Sequence, residues 1–169
     1  MNTFKDIVIS DLERGKRLIQ QVGDEIDPQI RIATPEGDFW IAMTLSGDLE
    51  QRAYEFRLLT EFMILKQALG FVMVSELQEP DAIISAGITH HEHHCALSMI
   101  QRDPLSFEPT MWLAQEQIDP QVIALLPEAG SAPDPALSKD VKAYFGKTGK
   151  FPAVPINQDQ TFAQKYEIN

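Results

Sequence analysis

The sequence predicts an α+β fold: an antiparallel sheet, made of a hairpin and a three-strand meander, with an N-terminal helix, a long central helix and a helical C-terminal extension. Three observations lead there. Two long stretches repeat their apolar residues at helical spacing. Five short runs are strand-like, bounded by turn residues. Every connection between neighbouring runs can be short, which favours antiparallel pairing with the helices packed mainly on one face.

Residues 3–23 open with Phe4, Ile7, Val8, Leu12, Leu18, Ile19 and Val22 at helical spacing, and Thr3 with Asp6 supplies an N-cap. Gly15 falls on the apolar face, where its missing side chain predicts close packing against a neighbour. Gly23 and Asp27-Pro28 end the helix. The runs 29–34 and 38–45 flank Pro35-Glu36-Gly37, which is turn chemistry and predicts a hairpin.

Asp48 and Gln51 match a capping box and Gly70 a stop, so the central helix is expected between them. Leu49, Ala53, Phe56, Leu59, Phe62, Met63 and Leu69 form its apolar stripe. Arg52 and Arg57, interleaved with Glu50, Glu55 and Glu61, read as a solvated opposite face. The meander follows at 71–77, 82–89 and 95–101, turning first at Glu79-Pro80-Asp81. Residues 109–127 read as one or two short helices broken at Asp119-Pro120, and Leu137–Phe145 as a last helix. Residues 1–127 are thus expected to form the α+β domain. Residues 128–169 are expected to be a linker, short helix and extended tail, packed on it or partly disordered, with residues 147–169 adding little to the core. The element order resembles that of profilin-like and roadblock-like modules in order alone, and no motif ties the chain to either family.

Composition narrows the function. The chain has 169 residues and a formal net charge of −11. Residues 67–138 hold Arg102 against ten acidic side chains, so that region repels phosphate backbones and anionic lipid. No nucleic acid or membrane partner is expected. Cys95 is the sole cysteine and the first residues lack an apolar signal core, which fits a cytoplasmic protein.

One cluster can carry chemistry. All four histidines and the cysteine fall within His90-His91-Glu92-His93-His94-Cys95. Imidazole and thiolate suit zinc or another late first-row metal. In an extended chain His90, Glu92 and His94 share one face, with His91, His93 and Cys95 as alternates on the other. The H-E-x-x-H signature fails, because Cys95 stands where its second histidine belongs. Gly146-Lys147-Thr148 fails as a phosphate loop, because Val141 occupies the place of the leading glycine. Cys95, opening an apolar strand, reads as a small core residue rather than a nucleophile. Phe39, Trp40, Phe56, Phe62 and Phe71 read as core, and neither Trp40 nor Trp112 implies a cofactor.

With no catalytic constellation in sight, the chain reads as a non-enzymatic binding or assembly module with protein partners, expected to self-associate. The alternative is a metal-binding protein or metal-dependent enzyme built on His90–Cys95.

Overall fold

The computed structural model describes residues 3–156. The chain runs α1 (Phe4–Val22), β1 (Gln29–Thr34), β2 (Gly37–Ala42), α2 (Leu49–Leu65), β3 (Gly70–Leu77), β4 (Ala82–Thr89), β5 (His93–Arg102), β6 (Leu105–Phe107), β7 (Met111–Trp112), α3 (Pro120–Ile123), α4 (Ser138–Phe145) and β8 (Val154–Pro155), with 3-10 turns at Gln115–Gln117 and Pro135–Leu137. All pairings among these strands are antiparallel, in the order β6-β5-β4-β3-β1-β2-β8, with β7 also on β5. The α+β class, the hairpin and the meander are as the sequence predicts.

The helices depart from expectation. They cover both faces of the sheet rather than mainly one. Neighbouring residues of the central strands feed two separate cores, Phe71 and Met73 against Val72 and Val74 in β3. On one side Phe4, Val8, Leu12 and Ile19 of α1 pack on Val72, Val74, Ile83 and Ala96. On the other, Leu58, Leu59, Phe62 and Met63 of α2 join Ile30, Ile32, Ile41, Phe71 and Ile88. Two-sided burial explains why the strands read as nearly continuous apolar runs.

The approach of α1 to the sheet depends on two glycines. A Cβ on Gly15 would lie 2.6 Å from the Ile83 Cδ1 atom and 2.7 Å from Val74 Cγ1. One on Gly87 of β4 would lie 2.4 Å from Val8 Cγ2 and 2.8 Å from Phe4 Cζ. At each contact one partner gives up its side chain so that the other's can seat: Gly15 of the helix under Ile83 and Val74, Gly87 of the sheet under Val8 and Phe4. The Thr3–Asp6 capping box forms at the helix start.

α2 is enclosed twice. Its inner side meets the sheet, and the chain after Pro127 covers its other side. Leu137, Val141, Phe145 and Phe151 enter the same buried cluster. Glu55 and Glu61, read from the sequence as solvated, are therefore buried: Lys150 pairs with Glu55 at 3.1 Å, and the Asp134 N–H donates to Glu61 at 2.5 Å. Asp48 caps the helix through the N–H groups of Glu50 and Gln51, but the Gln51 amide donates to the Tyr144 hydroxyl instead of closing a capping box. The helix stops at Leu65, because Gln67 turns to a positive φ of 54°, and Gly70 begins β3 rather than ending the helix.

Three further differences follow from sheet edges. β2 ends at Ala42 instead of continuing to Leu45. Residues 105–113 run back along β5 as the interrupted edge β6–β7, where the sequence suggests helix for the latter part. The tail is also not peripheral as far as it is described: Phe151 is buried, and Val154–Pro155 pairs with Phe39 and Trp40. The rest of that tail, residues 157–169, lies outside the described residues. Phe151→Ala is expected to lower unfolding free energy by about 3–5 kcal/mol in equilibrium denaturation, the cost of emptying a buried phenylalanine site. A loss below about 1 kcal/mol would return the segment to the periphery.

Candidate functional site

The histidine run forms the β4–β5 turn, and Thr89 holds it. The Thr89 N–H donates to the Glu92 carbonyl at 2.9 Å, while its hydroxyl accepts the N–H groups of His91 and Glu92 at 3.2 and 3.0 Å. His90, His91 and Glu92 thus lie in the exposed turn, and His93 and His94 begin β5 opposite Ile88 and Gly87. Strand geometry sends these last two to opposite faces.

The turn separates most of the proposed ligands. Glu92 and His94 meet, with the imidazole Nε2 2.7 Å from Oε2. His90 instead reaches the Pro127 carbonyl at 3.0 Å. A carbonyl and a carboxylate only accept hydrogen bonds, so in both rings it is Nε2 that donates. His91 is exposed in the turn. Cys95 enters the core on the α2 side, where burial pushes its thiol up to about 11. Among the described residues, no three His, Cys, Asp or Glu side chains converge to hold a metal ion.

Two concave or apolar surfaces flank this turn. His90 and His91 stand at the rim of a groove of about 640 Å³ between the end of α2 and residues 127–133, with Met63, Leu65 and Leu69 in its wall. On the α1 face, His94 lies between two aromatic rings: Phe4 at 5.9 Å and Trp112 at 6.1 Å, the latter edge-on. Lys5 Nζ sits 5.2 Å from the Trp112 ring centre. Trp112 and Met111 form β7, opposite Ala96 and Leu97, and remain 43% and 49% exposed.

β7 escaped the sequence reading because two residues carry no periodicity. The available signal was the apolar trio Met111-Trp112-Leu113 just after Pro109, too short for an amphipathic helix and suited to an edge strand.

No family model, curated protein or solved structure matches the chain.

The chemistry of Cys95 is testable directly. A thiol raised from its ordinary value of 9.0 to about 11 holds about 100-fold less thiolate at pH 8. Native protein is expected to react with a thiol-specific disulfide reagent at least that much more slowly than protein unfolded in guanidinium. Equal rates would mean that Cys95 is accessible and ionised.

Proposed function

We propose that this chain is a non-enzymatic assembly module that self-associates through the β5–β7 side of its sheet. The observation that carries the reading is the pair of large apolar side chains, Met111 and Trp112, half-exposed on an edge strand. An edge strand presents unpaired N–H and C=O groups that a second strand can complete. An exposed tryptophan beside them adds the kind of rigid apolar anchor on which interfaces concentrate their energy. The Trp112 ring stands edge-on to His94 at the start of β5, which in turn packs on the buried Phe4 ring of α1.

A second reading, a zinc or other late first-row metal site, has one supporting contact: the Glu92–His94 pair, with its imidazole already oriented by a carboxylate. That arrangement resembles the support that metal-bound histidines receive. His90, His91, His93 and Cys95 would have to move to add ligands.

Sedimentation velocity of untagged protein across a wide concentration range, with elemental analysis of the same sample, tests both readings. The expected result is reversible dimerisation in metal-free protein, weakened about tenfold or more by Met111→Ser with Trp112→Ser. A monomer at every concentration overturns the assembly reading. Stoichiometric metal that chelator removes, with loss of a binding or catalytic property, establishes the second.

A further inference from the structure

We infer that the part of the sheet left open beside α1 binds an acidic peptide segment of a partner protein, with carboxylates paired to Arg14 and Arg17 and an apolar side chain laid against Val154 beside Trp40. α1 crosses β3, β4 and β5 and meets β1 and β2 through side chains. A groove of about 410 Å³ remains beside the helix, with Arg14, Arg17 and Gln21 on its wall and Trp40 on its floor.

The cations are disposed for a ligand. The Arg14 guanidinium stacks on Trp40, its central carbon 3.8 Å from the ring centre. Stacking occupies the flat face of a guanidinium and leaves its in-plane N–H donors directed outward, the geometry that takes a carboxylate on two bonds. Arg17 lies three residues further along the same helix face and lines the same groove. Neither makes an ion pair with another described residue. Arg31 differs: its charge is held by Asp11 and Asp38. The lining of the groove holds Arg14 and Arg17 against one carboxylate, that of Asp11, which leaves one positive charge in excess on a chain whose net charge is −11.

The shape favours an extended chain over a compact anion. Val154 of β8 lies opposite Trp40 in register and shares its face, 55% exposed, and Arg31 follows on β1. The floor is therefore a row across three strands, longer than the groove itself, with apolar surface at the sheet edge and cations at the helix. An acidic segment with an apolar residue beside its carboxylates matches that order.

Titration of Trp40 fluorescence in Trp112→Phe protein tests the inference, using a synthetic ten-residue peptide of Asp and Glu with one Leu. Saturable binding is expected. The amide analogue of the peptide and the Arg14→Gln/Arg17→Gln protein should each bind about tenfold more weakly, as two exposed ion pairs predict. Arg17→Gln alone, at an exposed helix position away from the ring, should retain the native circular dichroism and still weaken binding about threefold. Equal binding of the amide analogue, unchanged affinity in the arginine variants, or absence of saturation overturns the inference. So does displacement of the peptide by inorganic phosphate or a single-stranded oligonucleotide of equal charge. The groove and the β7 edge lie on opposite sides of α1, so peptide binding by a monomeric protein separates this inference from the assembly reading.

Discussion

The ion pair between Asp11 and Arg31 fixes where α1 crosses the sheet, and the arrangement of both surfaces follows from that crossing. Arg31 Nε and one terminal nitrogen each reach an Asp11 oxygen at 2.9 Å, and its other terminal nitrogen lies 3.4 Å from Asp38. Asp11 is 1% exposed and Asp38 equally buried. Burial opposes the charge on Arg31, but the bonds and charges of Asp11 and Asp38 together outweigh it, so the guanidinium is held more firmly protonated than usual. An ion pair this dry is costly to leave half-made, which makes it a device of registry more than of net stability. Gly15 and Gly87 let the helix descend at the same crossing, while Asp11 stops it from sliding over β1 and β2.

That crossing leaves the molecule asymmetric. The α2 face is closed twice, by the helix and by the chain from Leu137 to Phe151. The α1 face is closed over β3, β4 and β5 and open towards β2, where Trp40 lies under Arg14. The other edge of the same face carries Trp112 beside His94. On the α1 face, exposed polar and apolar surface lies on either side of one helix, while the buried acids of α2 serve the packing of the C-terminal chain.

Much of the framework is legible in the sequence because local signals dominate it. The Thr3–Asp6 box, the Gly23 stop and the strand-like runs at 82–89 and 29–34 each act within a few residues. What escaped depends on distant partners. Glu55 and Glu61 look solvated until Lys150 and Asp134 arrive from residues far along the chain. Phe151 looks like tail until α4 folds back on α2 and brings it to Tyr144. At the site, the histidine cluster was plain in the sequence, but its geometry was not: the Thr89 turn decides that His94 meets Glu92 while His90 reaches Pro127. Arg14 and Trp40 carry no motif, since their pairing exists only once α1 has been placed on the sheet.

The most direct test of this account is a double-mutant cycle on Asp11 and Arg31, measured by equilibrium unfolding of Asp11→Ala, Arg31→Ala and the double variant. If this pair sets the helix crossing, the coupling energy should be about 3 kcal/mol or more, and removing both partners should cost less than the sum of the single losses. A coupling below about 1 kcal/mol, the range of exposed ion pairs, would contradict it.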